Sequence, residues 1–294
     1  MNPTTSADTT MAVFPSAKPL GAEIRGVDLR SLTDGEFAAI RRAWNDHSVL
    51  VFRGQQLTDD DLIAFSRRFG DLDWAPVQET GRRFVEGHPE IYVVSNVIVN
   101  GEPIGSLGAG EASWHTDMSY LEIPPKASML YALEVPPTGG NTYFCGMYHA
   151  YDSLPDALKL RIAGRMLKHD GTYNSGGYLR QGVTAGDDPM TSPGAWHPLV
   201  CAHPETKRPT LYLGRRRNAY IQGLPLAESE ALLDELWAIA TREEFTWGNE
   251  WQVGDLVLWD NRSTMHRRDP FDPSTRRIMH RTQIKSDTRP AACE

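Results

Sequence analysis

Three cysteines, Cys145, Cys201 and Cys293, are too few and too scattered for a disulfide framework, and without a CxxC spacing they suggest no zinc knuckle. They fit a reducing cytosol, so a cytoplasmic location is expected. No apolar run approaches the roughly 18–20 residues that span a bilayer. Met1–Pro15, rich in Thr and Ser, lacks the charged-then-apolar order of a secretory leader. Basic charge is short as well: 30 Lys and Arg against 38 Asp and Glu leave a formal charge of -8. That balance argues against nucleic acid as a partner, which normally requires a strongly basic face. The one basic cluster, Lys207-Arg208 with Arg215-Arg216-Arg217, reads as a solvated face. There is no repeat of fixed period. What remains is an ordinary globular composition, 40% hydrophobic and 23% charged, sufficient for a real core. A chain of this length is near the upper limit for one domain, so a single domain with long insertions is expected.

Residues 1–18 show little apolar periodicity and read as a flexible N-terminal tail, leaving 19–294 as the domain. Thr33-x-x-Glu36 is a capping-box pattern ahead of Phe37, Ile40 and Trp44. Thr58 opens a second helix with Leu62, Phe65 and Phe69, expected to stop with Gly70 at C′. Between them, Ser48–Phe52 is a short β-rich run. Further short apolar runs follow at 91–94, 128–133, 142–145, 211–213, 256–259 and 278–284, separated by Pro, Gly and Asn, which predicts a mainly β core. Helical spacing at 150–163 and 226–241 adds flanking helices. Gly- and Pro-rich stretches predict lid insertions near 73–113 and 170–197, since long loops in a compact domain usually bind or cover something.

The chemistry starts at Trp114-His115-Thr116-Asp117. Alternate residues of an extended chain share a face, so His115 and Asp117 are positioned to reach one ion. Alone this is a weak signal, and a third ligand is needed. His266 lies just beyond a strand-like run, as a jelly-roll return requires. Two His and one carboxylate make the facial triad of non-haem Fe(II) oxygenases, with open positions left for cosubstrate and oxygen. Arg277 and Arg281 follow at strand alternation and are expected to face the same interior. Two buried guanidinium groups are costly unless paired, and a ligand carboxylate is the natural partner. The other histidines, His47, His88, His149, His169, His197, His203 and His280, read as packing or surface residues. Trp114, Trp259 and Tyr131 read as core aromatics.

These residues carry a family resemblance. Trp114-His115-Thr116-Asp117, the turn Gly139-Gly140-Asn141-Thr142, and Trp259-Asp260-Asn261-Arg262 through His266 to Arg276-Arg277-Ile278-Met279-His280-Arg281 resemble the Fe(II)/2-oxoglutarate-dependent taurine dioxygenase family, which includes 2,4-dichlorophenoxyacetate dioxygenase. Phe69-Gly70-Asp71-Leu72 is similar too, and the likeness runs from about Gly21 to Thr282. The resemblance implies a double-stranded β-helix, a cupin-like jelly roll. It implies Fe(II) held by His115, Asp117 and His266, with 2-oxoglutarate and O2 as cosubstrates. Arg277 and Thr142 would hold the distal carboxylate of 2-oxoglutarate, and Arg281 the anionic group of a small-molecule substrate. Hydroxylation of a C–H bond with release of succinate and CO2 would follow. A homo-oligomer, dimer or tetramer, is expected by the same analogy.

The chain departs from the taurine enzyme where that enzyme contacts its small aminosulfonate. By rough alignment Ala75, Gln78 and Glu111 stand there, which makes taurine a poor fit and a larger carboxylate or sulfonate a better one. Arg217 is a candidate second cation near the pocket. Two other readings remain: a noncatalytic cupin-like sensor that binds metal and 2-oxoglutarate, and a zinc hydrolase, which leaves Arg277 without a purpose.

Overall fold

The computed structural model describes residues 10–76, 85–110, 112–180, 182–186 and 188–293. Eight strands form one sheet in the order Ala12–Pro15, Ala22–Arg25, Val49–Phe52, Leu256–Asp260, Ala127–Glu134, Ile278–Ile284, Tyr92–Ser95, Ser106–Leu107. A four-stranded sheet runs Thr246–Asn249, Thr142–Gly146, Thr264–Arg268, Ala112–His115. Strands far apart in the chain are neighbours in both sheets, which is the double-stranded β-helix expected from the sequence. Pairings are antiparallel except Ala22–Arg25 with Val49–Phe52 and Tyr92–Ser95 with Ser106–Leu107.

Strand alternation divides the core into three. Val49, Val51, Leu130, Ala132, Val257, Trp259 and Met279 of the large sheet pack with Phe144 of the small sheet and Trp251, forming the layer between the sheets. Their neighbours Leu50, Phe52, Met129, Tyr131, Leu256 and Leu258 face the other way, against helices Asp34–His47 and Asp59–Arg67. Both faces of these strands are thus buried, which is why they read as continuous apolar runs. Both helices begin at complete capping boxes, Thr33 with Glu36 and Thr58 with Asp61. The second ends at Arg67 with Arg68 still right-handed, so Gly70, at φ 144, is not the expected C′ residue.

On the outer face of the small sheet, Cys145 and Met265 join Leu232, Leu233 and Leu236 of helix Leu226–Ala240 in a third cluster. The helix expected at 150–163 is two, Met147–Asp152 and Asp156–Ile162. Pro155 forces the break, because it has no N–H to continue the first helix and disfavours helical backbone at the residue before it.

The tail expectation needs correction. Residues 12–15 pair with 22–25 from Ala12↔Arg25 to Pro15↔Ala22, so ordered chain begins before residue 19. This strand lies at the sheet edge, with Val13, Phe14 and Pro15 exposed. Its stability comes from backbone hydrogen bonds and from Arg25 over the Phe14 ring at 4.5 Å, neither of which leaves an apolar periodicity in the sequence. Residues 1–9 lie outside the described residues. No helix among the described residues is long and apolar enough to cross a membrane.

Candidate active site

His115 ends its strand, and His266 sits mid-strand directly opposite it. Opposed residues of an antiparallel pair share a face, and the two imidazoles lie with centroids 4.1 Å apart. Asp117 arrives differently from the expected alternation, because the strand stops at His115. Thr116 N–H donates to Gly214 O at 3.0 Å, and Met118 adopts φ 48, so the chain turns to bring the carboxylate in. Asp117 Oδ1 lies 3.6 Å from His115 Nε2 and 3.9 Å from His266 Nε2. The three ligand atoms fall within 4.8 Å of one another, all three residues are buried, and no other such group occurs among the described residues. Two imidazoles and one carboxylate on one face suit a divalent first-row metal and leave coordination positions open.

Neighbours aim each ligand. The carbonyl of Ser113 holds His115 Nδ1 at 2.8 Å, which leaves Nε2 to face the cluster. Phe144 stacks on the His266 ring at 6.0 Å, and Trp259 packs on it at 4.9 Å. Asp117 Oδ2 accepts from Ser128 Oγ at 2.8 Å; that oxygen accepts from Asn261 Nδ2 at 3.1 Å, and Asn261 Oδ1 accepts from Trp259 Nε1 at 2.9 Å. This buried relay fixes the carboxylate from behind. In front, Arg281 Nη1 lies 3.2 Å from Oδ1 and 3.3 Å from Oδ2.

Burial alone would raise the pKa of Asp117, yet the Arg281 charge and the two imidazoles overcome it and hold the carboxyl well below the usual carboxylate range. Burial pushes both imidazoles down, His266 well below its ordinary value, with the charge of His115 adding to the effect. An ionised carboxylate and imidazoles driven toward the neutral form are what a divalent metal binds.

Arg277 immediately precedes the strand that carries Arg281 and is 1% exposed. Its Nε, Nη1 and Nη2 are all buried without a hydrogen-bond partner among the described residues. Burial, followed by the nearby charge of Arg268, lowers its pKa to about 9. The guanidinium lies 6.0 Å from the Trp251 ring, whose Nε1 donates to Thr142 Oγ1 at 3.0 Å. Gly140, at φ 67, gives this arginine its room, because a Cβ there would sit 3.2 Å from Pro136 Cγ and 3.5 Å from Arg277 Cδ. A fully desolvated cation with idle donors matches a bidentate carboxylate.

The substrate residues read from sequence are less concentrated. Ala75 is half-buried, with its N–H on Pro89 O at 2.8 Å, beside the exposed Trp74. Gln78 and Glu111 lie outside the described residues. The basic run is not the uniformly solvated face expected. Arg216 does make surface ion pairs with Glu230 and Asp234, each at 2.7 Å. Arg217 is exposed and stacks on the Tyr173 ring at 3.4 Å. Arg215, instead, is bridged to His115 and stands beside the cluster. Sequence reading also missed Ser128 and Asn261, although Asn261 was visible as a polar residue closing the apolar run 256–259.

The model of the taurine catabolism dioxygenase TauD, TfdA family matches residues 12–283. The (S)-phenoxypropionate/alpha-ketoglutarate-dioxygenase of Delftia acidovorans is 33% identical over 292 residues, 94% of this chain and 95% of that protein. The alpha-ketoglutarate-dependent 2,4-dichlorophenoxyacetate dioxygenase of Cupriavidus pinatubonensis is 36% identical over 278 residues, 90% of this chain and 94% of that one. Among solved structures, AAD-2 in complex with Mn(II) and N-oxalylglycine superposes with a TM-score of 0.80 at 33% identity, covering 96% of this chain and 99% of that one.

Proposed function

Since the chain belongs to the TauD, TfdA family of dioxygenases and is an Fe(II)- and 2-oxoglutarate-dependent enzyme, we propose that it hydroxylates a C–H bond of a small organic acid larger than taurine, releasing succinate and CO2. His115, Asp117 and His266 would hold Fe(II), and Arg277 with Thr142 the distal carboxylate of 2-oxoglutarate. The bound metal supplies oxygen activation coupled to decarboxylation of the cosubstrate; the chain supplies position and charge. Arg277 anchors one end of the cosubstrate, Ser128 and Asn261 keep Asp117 in orientation, and Arg281 reaches from Asp117 toward the substrate's anionic group with a buried Nε that has no partner. Ala75, Gln78 and Glu111 are proposed as further substrate contacts.

The observation that carries this reading is Arg277, a buried guanidinium with no hydrogen-bond partner among the described residues, in a fold that also gathers a His, Asp, His cluster. Relatives named for phenoxypropionate and 2,4-dichlorophenoxyacetate, and others named alkylsulfatase and sulfate ester dioxygenase, support an aryloxyalkanoate or sulfate ester as substrate. Hydroxylation of the carbon bearing the ether or ester oxygen would give a product that collapses to a carbonyl compound. A succinate-release screen with Fe(II), ascorbate and 2-oxoglutarate over aryloxyalkanoates, sulfate esters and sulfonates tests this. Stimulation by one acid class is expected; 2-oxoglutarate binding with no substrate-stimulated succinate in any class would favour the sensor.

A further inference from the structure

The surroundings of the His115, Asp117, His266 cluster hold more cations than one acidic substrate group requires. Arg215 is opposed to His115 in an isolated antiparallel bridge, so its side chain leaves the sheet on the face that carries the metal ligands. Its Nη1 donates to Tyr173 O at 2.6 Å, and its Nε is buried with no partner. Tyr173 and Leu179 are bridged, and Arg180 N–H donates to Thr172 O at 2.9 Å, so a closed hairpin delivers Arg180 to the same region. The Arg180 guanidinium lies 4.1 Å from the ring centroid of Tyr120, three residues after Asp117, and its Nε too is buried without a hydrogen-bond partner among the described residues. Neither arginine has a carboxylate within 4.0 Å among the described residues, unlike Arg216 in the same run. Burial, then the charge of Arg180, lowers the pKa of Arg215 to about 10, while Asp117 and Asp170 act in the opposite direction without overcoming them.

A count of charges gives this pair a purpose. A ferrous ion, Asp117, both carboxylates of 2-oxoglutarate, Arg277 and Arg281 together leave one positive charge, and the buried Arg268 beside Arg277 adds another; a monoanionic substrate cancels only one. Arg215 and Arg180 add two more, offset in part by Asp170. Both side chains are partly buried, where uncompensated charge is costly, and a second substrate anion offsets it with charge-assisted hydrogen bonds. Resting on the dioxygenase reading above, we propose that Arg215 and Arg180 form a second anion position beside the cluster, so that the preferred substrate carries two acidic groups, one for Arg281 and one for this pair.

The test compares phenoxyacetate with its three ring-carboxylated isomers, 2-, 3- and 4-(carboxymethoxy)benzoate. Each is titrated calorimetrically, without oxygen, into enzyme loaded with Fe(II) and 2-oxoglutarate, and each is assayed for succinate release in air. At least one diacid is expected to bind about tenfold more tightly than phenoxyacetate, and that advantage should shrink as salt is raised. Arg215→Gln and Arg180→Gln should each cut the diacid-to-monoacid ratio by about tenfold, with Arg215→Lys retaining part of it. Thermal melts establish that each variant is folded, and two variants on different segments guard against the failure of one. Diacids that bind no better than phenoxyacetate, or a ratio unmoved in both Gln variants, would overturn the proposal. Absence of succinate with every acid would instead defeat the dioxygenase reading, and the binding ratio would still decide this one.

Discussion

Arg281 touches Asp117 through a single nitrogen that sits 3.2 and 3.3 Å from the two carboxylate oxygens, so this cation and the carboxylate of the His, Asp, His cluster are one unit. The planar guanidinium carries more donors than that contact uses, and its Nε has no hydrogen-bond partner among the described residues. Arg277, by contrast, lies 6.0 Å from the Trp251 ring, which in turn bonds Thr142 Oγ1. The two arginines therefore have separable work. Arg281→Ala should raise the KM for the acid substrate by about tenfold or more and shift the KM for 2-oxoglutarate by less than about threefold. Equal losses in both constants would contradict the division.

Arg277 should limit the stability of the ligand-free protein. Replacing an unpaired buried charge with an apolar side chain of similar length is often neutral or stabilising. Arg277→Met should therefore leave the free protein as stable or raise its unfolding free energy by about 1–2 kcal/mol, while abolishing succinate release. Adding 2-oxoglutarate with a divalent metal should raise the Tm of the wild-type protein beyond the effect of metal alone, and should not do so in the variant. A variant that is clearly less stable, yet still gains from 2-oxoglutarate, would show that the guanidinium has another partner.

How much of this was legible in the sequence follows from what kind of signal each residue leaves. The strands were readable because both of their faces are buried, which writes a continuous apolar run, and the helices because Thr33 and Thr58 cap them locally. The edge strand Ala12–Pro15 left no such mark, because its stability rests on backbone pairing. His115, Asp117 and His266 could be named from residue type and order, although Asp117 reaches the cluster through a turn that the alternation argument did not contain. Ser128 is one polar residue among apolar neighbours in a core strand, and only the fold shows that its hydroxyl meets Asp117. Arg215 and Arg216 are adjacent in sequence yet opposite in role, since one is bridged to His115 and the other pairs on the surface. A charge run says nothing about which member a long-range strand pairing will turn inward.

The relay behind Asp117 makes a prediction of its own. Asn261 contacts Ser128, the Pro125 carbonyl and Trp259, and touches no metal ligand, so its effect on the metal passes through orientation alone. Outer partners of metal ligands typically carry a 10–100-fold share of metal affinity or activity. Asn261→Ala should weaken Fe(II) binding by about tenfold, read by titration with a competing chelator, and saturating Fe(II) should restore much of the lost turnover. Metal affinity equal to wild type would mean that Ser128 and Arg281 hold the carboxylate unaided.

Away from the site, Asp260 ties the end of its strand to two segments. Its carboxylate accepts from Arg262 Nε at 2.9 Å and Nη2 at 2.6 Å, from Arg262 N–H at 2.8 Å and from His203 Nε2 at 3.0 Å, and it is 1% exposed. Burial would raise its pKa, but the charge of Arg262 and then His203 overrides it and holds the carboxyl far below its ordinary value of 3.8. A depressed folded-state pKa stabilises the protein fully above the unfolded value, and the benefit fades as pH falls below it. Unfolding free energy should therefore be steady above about pH 5 and fall steeply from about pH 4 downward. Asp260→Asn should cost about 3–5 kcal/mol at neutral pH, because Arg262 would then be a buried charge short of its main partner. It should also flatten the acid side of the stability profile, as followed by denaturant unfolding across that range. A variant that keeps the wild-type acid slope would assign the acid sensitivity to other carboxylates.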